Sequence, residues 1–246
     1  MSETARRIAA QGWFEFTAIL RNGEQILLNV IMPLMAVIIL AKTNLIATQD
    51  NGLEKLDLAL VAGISLAVMS SAFTSVAIAT GFDRRAGFLR YLGTTPLRRG
   101  GLISGKVVAV GLLVAIQFVM MIGTALILGW RFDGTGLLIT IVPLILATGA
   151  FTAWALLLAG TLRAEAVLAL ANLIWLGLVM TAGATLVGNH LPDVIGNVAH
   201  FLPSGAIVNG IEASIGTHSV AWGPLGVLTI WLVAGVASAN RWFKWD

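Results

Sequence analysis

Residues 58–81 read LALVAGISLAVMSSAFTSVAIATG, and residues 82–99 continue with FDRRAGFLRYLGTTPLRR. The first stretch carries no charged side chain and is long enough to cross the hydrocarbon core of a bilayer, which takes about 20 residues of α-helix. The second stretch is rich in arginine and ends the apolar run at once. This order predicts a membrane-spanning helix that ends on the cytoplasmic side.

The same pattern recurs along the chain, which is 58% hydrophobic and only 11% charged over 246 residues. Soluble domains carry about 25% charged residues. Backbone groups in hydrocarbon must be bonded within the protein, and no alternating segments typical of a barrel occur, so each span is predicted to be a helix. We predict an all-α membrane protein, with residues 1–246 forming a single transmembrane domain. Its six spans are Gln25–Leu45, Leu58–Gly81, Leu102–Trp130, Gly136–Leu162, Glu165–Gly188 and Val220–Asn240.

The basic residues indicate the orientation of the spans. Of the 15 Lys and Arg residues, only Lys42, Lys55 and Arg131 fall outside if the N-terminus is inside. An excess of Lys and Arg marks cytoplasmic loops, so both termini are predicted to be cytoplasmic. Because the positive charge is confined to loops, it is better explained by membrane topology than by a nucleic-acid partner.

The absence of cysteine excludes disulfide frameworks and thiolate metal sites.

Residues 1–22 precede the first span and have an amphipathic pattern. Residues Ser2–Asn22 are predicted to form a helix in the inner headgroup layer. Phe14 breaks the pattern because it lies on the polar side. The apolar face carries Ala5, Ala9, Trp13, Phe16 and Leu20, and the opposite face carries Arg7, Gln11 and Arg21.

The cytoplasmic connection between spans 2 and 3, residues 82–100, combines an apolar ridge with arginines. Asp83–Leu92 is predicted to be a short helix that ends at Gly93. An exposed apolar ridge inside a basic frame is typical of a docking surface, although the arginines alone would also fix the topology. The ridge consists of Phe88, Leu89 and Leu92, and Arg84, Arg85 and Arg90 flank it.

The last external connection, Asn189–Ser219, is long, apolar and free of Lys and Arg. A loop exposed to water would not have this composition. We therefore expect a pair of short helices that dip back into the outer leaflet and pack against protein.

Apart from the boundary residues Lys106, Arg163 and Glu165, the predicted spans contain no Asp, Glu, Lys or Arg. Ion-driven carriers and voltage sensors need such residues at membrane depth. Any transport must therefore draw its energy from a partner at the cytoplasmic face. Three polar residues within spans are expected to bond between helices, with substrate contact as the alternative. They are Asn29, Gln117 and Asn172.

The connection between spans 2 and 3 resembles that of the membrane subunit of ABC type-2 transporters, a bacterial exporter family with six spans per half-transporter. The matching residues are Asp83, Gly87, Leu89, Leu92, Thr95 and Pro96, followed by Gly105 and Lys106. The resemblance implies that this segment is a coupling helix seated in a groove of an ATP-binding subunit. It also implies that residues 1–22 are the connecting helix. Phe201–Ile211 resembles the family's re-entrant stretch, and Pro203 and Glu212 are expected near the substrate path.

The resemblance further implies a multi-pass protein of the bacterial inner membrane that exports a hydrophobic or amphiphilic substrate. Its partners would be two copies of an ATP-binding subunit, which hold ATP and Mg, and a second permease copy or a similar chain. No cofactor or metal is expected on this chain.

Two other functions remain open from the sequence. One is a polytopic membrane enzyme, or a metal- or haem-binding membrane protein, that uses the external histidines His190, His200 and His218, with Ser204 near His200. The other is a non-transporting assembly or immunity factor with the same fold.

Overall fold

The computed structural model describes residues 3–43, 53–87, 99–187 and 198–243. Within these ranges the chain is helical and contains no strand. The helices are α1 (Glu3–Arg21), α2 (Gly23–Lys42), α3 (Lys55–Arg85), α4 (Arg99–Ile127), α5 (Gly134–Thr161), α6 (Ala164–Val187), α7 (Pro203–Gly216) and α8 (Trp222–Trp242).

Six of these helices, α2–α6 and α8, are long and apolar enough to cross a membrane. The predicted all-α class and the six spans are thus confirmed. The observed helix ends lie within a few residues of the predicted ones. Helices α2 and α3 also carry π-helical segments, Leu27–Ile31 and Met69–Ser75, that the hydrophobic pattern did not reveal.

Helices α3 and α5 form the centre of the bundle. Other parts of the protein bury 72% of the apolar stretch of α3 and 56% of that of α5, but only 17% of those of α6 and α8. The largest buried side chains of α3 include Leu58, Leu60, Ile64 and Met69. Helix α5 packs against α3, α7 and α8. The outer helices therefore present apolar faces to lipid or to another chain.

A small residue on α3, Gly63, lets α2 approach closely. A Cβ atom on Gly63 would overlap the Val37 side chain of α2 and lie 3.7 Å from the Met121 sulfur of α4. Small residues allow helices in lipid to pack without a hydrophobic driving force. Gly63 is thus a point where three spans meet.

The segment between α6 and α8 contains a short buried helix. Residues 198–201 are helical, Leu202 is extended, and Pro203 begins α7. A Cβ atom on Gly205 would overlap the Ala199 carbonyl oxygen, so this tight turn requires glycine. Ten of the 14 residues of α7 are buried, and α7 packs against α3, α5, α6 and α8. Its length of about 21 Å is too short to cross a bilayer.

At the end of the bundle near α7's C-terminus, hydrogen bonds join successive spans. The Trp130 Nε1 donates to Asp57 Oδ1 at 2.7 Å. Asp133 caps α5 by accepting a hydrogen bond from the Gly136 backbone at 3.0 Å. His218 lies 2.9 Å from the other Asp133 oxygen. These contacts position the start of α5 against the end of α7.

The Gly63 contact leads to a first prediction. Gly63→Ala should destabilise the protein by about 1–3 kcal/mol, because the added methyl group overpacks the α2–α3 contact and the β-branched Val37 has little rotamer freedom. Thermal unfolding in detergent measures this change.

Gly177→Ala on α6 is the matched control, because nothing lies within 4 Å of a Cβ atom there. It should be neutral or slightly stabilising, since alanine favours helix over glycine. Equal unfolding temperatures for the two variants would contradict the assigned packing.

Candidate functional site

The end of the bundle that carries most of the arginines, here called the basic end, contains the last turn of α3. Asp83, Arg84 and Arg85 occupy this turn. Successive residues of an α-helix point about 100° apart, so the three side chains leave α3 in different directions. Each of them contacts a different part of the bundle.

Asp83, Lys106 and Glu15 form a group of ion pairs, here called the ion triad, in which Lys106 contacts both carboxylates. Lys106 lies in α4, and its side chain is only 7% exposed. Its Nζ is 3.1 Å from Glu15 Oε2 of α1 and 3.1 Å from Asp83 Oδ2 of α3. A buried cation is strongly destabilising unless it is paired. The ion triad therefore holds three helices together around one charge.

A close contact between α1 and α4 positions the ion triad. A Cβ atom on Gly12 would lie 2.8 Å from the Val108 side chain, and one on Gly105 would lie 2.6 Å from the Gln11 side chain. Gln11 also donates a hydrogen bond to Glu15 Oε1 at 3.1 Å. The other Glu15 oxygen is thereby oriented towards Lys106.

Arg84 and Arg85 join α3 to the connection between α5 and α6. Arg84 Nη2 donates to the Leu162 carbonyl at 2.7 Å, a backbone group that the end of α5 leaves without a helical partner. Arg85 pairs with Glu165 in the first turn of α6, and both of these side chains are largely exposed. The last turn of α3 thus contacts α1, α4, α5 and α6 directly or through the ion triad.

The predicted helix Asp83–Leu92 is wrong at its start. Asp83 and Arg84 belong to the end of the spanning helix α3, which stops at Arg85. Gly87 then adopts a left-handed backbone with φ of 75°, which only glycine adopts without strain. Six predicted docking residues lie in residues 88–98, outside the described residues: Phe88, Leu89, Arg90, Leu92, Thr95 and Pro96.

Helix α1 differs from the predicted arrangement at two residues. Phe16 was expected to face the headgroup layer, but it packs among Val30, Ala109 and Leu113 of α2 and α4. Gln11 was expected on the solvated face, but it packs against Gly105. The helical spacing of the two residues on α1 was predicted correctly. Their burial was not, because the sequence of α1 does not show that α4 packs against the side of α1 that lies between its apolar and polar faces.

Asn29 and Gln117 come together in the middle of the spans, beside the two π-helical segments. Gln117 Nε2 donates to Ser71 Oγ at 2.7 Å and also to the Asn29 carbonyl. Asn29 Nδ2 donates to Ser75 Oγ at 3.1 Å. These bonds between helices match the expected structural role for Asn29 and Gln117. Asn172 is apart from them, exposed on α6 and bonded to the Leu168 carbonyl of its own helix at 2.9 Å.

One cavity of about 200 Å³ connects the ion triad to this network. It lies between α1, α3 and α4, with Glu15, Asp83 and Lys106 at one end and Ser71 and Ser75 at the other. Thus the mid-span hydrogen bonds and the basic end share one crevice.

The remaining predicted residues lie on α7 or close to it. Pro203 is buried in the first turn of α7, and Glu212 is half-buried further along this helix. His200 Nδ1 lies 2.9 Å from Asn209 Nδ2, whereas the buried Ser204 hydroxyl lies 2.7 Å from that of Thr181. His200 and Ser204 therefore have different partners and do not form a catalytic pair.

His218 is paired with Asp133, and His190 lies outside the described residues. Within the described ranges, no cluster of three or more His, Asp or Glu side chains could hold a metal ion.

The sequence matches the family described as "ABC-2 family transporter protein" over residues 17–239. The chain belongs to the ABC-2 transporter family. No curated protein matches it. ABC-2 family members are membrane components of transporters, which favours an ABC permease over a membrane enzyme.

Sequence reasoning missed Glu15 and Lys106 as site residues. A signal was present for Lys106, because a lysine inside a predicted span must pair or reach an interface. A signal was also present for Glu15, which helical spacing places on the same side of α1 as Gly12. Neither signal identified the partner, since residues 15, 83 and 106 are far apart in sequence.

The ion triad leads to a second prediction. Lys106→Met should lower the free energy of unfolding by about 3 kcal/mol, because Glu15 and Asp83 are then left close together without a cation. Combining it with Glu15→Gln and Asp83→Asn should restore most of the loss, since neutral groups need no countercharge. Chemical unfolding in detergent micelles measures both effects.

Arg85→Gln serves as the comparison, because it removes an exposed ion pair and should cost at most about 1 kcal/mol. If Lys106→Met were no more destabilising than Arg85→Gln, Lys106 would not hold the three helices together.

Proposed function

We propose that this ABC-2 chain is the permease subunit of an ATP-driven exporter. Two ATP-binding subunits, which hold ATP and Mg, dock on residues 88–98 of two permease chains, either identical or similar. The observation that carries the proposal is the position of the ion triad. Asp83 lies five residues before this segment and Lys106 eight residues after it, and the two side chains form an ion pair.

The basic end is then the cytoplasmic end of a multi-pass protein in the bacterial inner membrane. Arg6, Arg7 and Arg21 lie on or next to α1 and are exposed. Together with Arg84, Arg85, Arg163 and Arg241 they follow the excess of positive charge expected inside. Both termini are cytoplasmic in this orientation.

Force from the ATP-binding subunits reaches the spans through the last turn of α3. A displacement of residues 88–98 pulls on Asp83 and, through Lys106, on α1 and α4. Arg84 and Arg85 pass the same displacement to α5 and α6 through Leu162 and Glu165. A few short contacts are thereby sufficient to move most of the bundle together.

The cargo we propose is a hydrophobic or amphiphilic molecule, such as a drug or a lipid, moved outward as the family resemblance implies. The middle of each described span is free of Asp, Glu, Lys and Arg, so the path offers no countercharge to an ionic cargo. In the same proposal α7 is a re-entrant helix that enters from the outer side. Its short length and its burial support this role.

The docking assignment gives a third prediction. Leu89→Asp combined with Leu92→Asp should leave membrane insertion intact but abolish the stimulation of ATP hydrolysis, because two charges would be buried in the docking groove. Co-purification with the ATP-binding subunit from native membranes, followed by measurement of ATP hydrolysis, tests this outcome.

Tyr91→Asp adds one carboxylate to the same segment. In the predicted helix Tyr91 lies about 110° around the axis from the middle of the ridge, so this variant should retain coupling. Wild-type partner binding and turnover in the double variant would show that the ATP-binding subunit docks elsewhere.

A further inference from the structure

We propose that this protein binds one acyl chain of an anionic phospholipid in an apolar groove between α5, α6 and α8. The groove has a volume of about 410 Å³. Its walls are formed mainly by Phe151, Trp154, Leu158, Ile174, Leu178 and Trp231. Leu202 and Pro203, at the start of α7, close one end. None of these residues belongs to the ion triad or to the predicted docking segment.

The length of the groove matches one leaflet. Along α5 it extends from Ala150 to Thr161, the last residue of that helix. Eleven residues of helix rise about 16 Å, which is close to half of a hydrocarbon core of about 30 Å. A single chain that enters at the Thr161 end would therefore reach the middle of the bilayer.

The hydrogen-bond donors of the described groove residues already have partners within the protein. Trp154 Nε1 donates to the Trp231 carbonyl at 3.0 Å, and Trp231 Nε1 donates to the Phe201 carbonyl at 2.9 Å. The Thr161 hydroxyl donates to the Leu157 carbonyl at 2.8 Å. Since these donors are already used within the protein, the groove favours a hydrocarbon chain over an amphiphile with a polar group along its length.

Basic side chains lie beyond the Thr161 end of the groove. Arg163 lies in the two-residue connection between α5 and α6, is exposed, and has no carboxylate partner among the described residues. A Cβ atom on Gly160 would overlap the Phe243 ring, so the end of α8, with Arg241, is adjacent. A phosphate at this end would meet positive charge, which favours an anionic headgroup.

The orientation of the bundle decides which leaflet the lipid comes from, and in the proposed function the Thr161 end of the groove is cytoplasmic. The lipid is then one of the inner leaflet. Its chain contacts Trp231, whose indole holds the Phe201 carbonyl just before α7. A bound chain therefore braces the start of α7 against α5 and α8.

Photo-crosslinking of the full chain in nanodiscs tests the proposal. The probes are a phosphatidylglycerol and a phosphatidylcholine that each carry a diazirine in the middle of the same acyl chain. Mass spectrometry should find the adducts concentrated on residues 150–161 and 174–178. Labelling by the phosphatidylglycerol probe should exceed that by the phosphatidylcholine probe about fivefold, as expected for one nearby arginine.

Two variants, each with a matched control, test the acyl-chain site and the headgroup site separately. Leu178→Trp should fill the groove and remove most of the labelling there, whereas Leu173→Trp, on the exposed face of the same helix, should not. Arg163→Gln should remove most of the preference for phosphatidylglycerol, since Arg241 remains, but leave labelling in the groove. Arg131→Gln, at the other end of the bundle, should preserve both.

Adducts spread evenly over exposed positions such as Leu173, Met180 and Ile145 would overturn the proposal, and this result needs no variant to fold. Equal labelling by the two probes in the wild-type protein would overturn the anionic headgroup. Neither readout involves the ATP-binding subunit or transport. The lipid site can therefore fail while the permease assignment holds, and the reverse is also true.

Discussion

The arrangement of the basic end depends on one buried cation. Lys106 lies inside α4 with almost no exposure, and among the residues that the structure describes the carboxylates of Glu15 and Asp83 compensate for its burial. Because these two residues lie on α1 and α3, satisfying one charge fixes the relation of three helices. Gly12 and Gly105 bring the backbones of α1 and α4 close enough for the pairing. Without that cation, α1, α3 and α4 would lose the ion pairs that join them.

A second constraint acts in the middle of the spans, where no water is available to polar groups. The π-helical segments of α2 and α3 meet there, and the amide nitrogen of Gln117 bonds to both helices. In the other half of the bundle, Trp154 and Trp231 use backbone carbonyls of α8 and of the stretch before α7. Since few polar groups are present, each of these bonds fixes a specific pair of helices.

Sequence alone was sufficient for the coarse architecture, because uncharged runs of about 20 residues have a single stable form in lipid. It also found the apolar character of the segment that contains α7. It did not find the ion triad, because pairing among residues 15, 83 and 106 depends on how distant helices pack. For the same reason it assigned Asp83 to a coupling helix, whereas the structure places it in the last turn of a span.

In the proposed mechanism an ATP-binding subunit moves this permease through residues 88–98 and the ion triad. Hydrogen–deuterium exchange of the complex, with and without a non-hydrolysable ATP analogue, measures whether that movement reaches the spans. ATP binding should change amide exchange in α1, which is joined to α3 through Lys106, and in the connection between α5 and α6, which Arg84 contacts directly. Changes confined to the ATP-binding subunit and residues 88–98 would show that the ion triad does not pass the movement on to the spans.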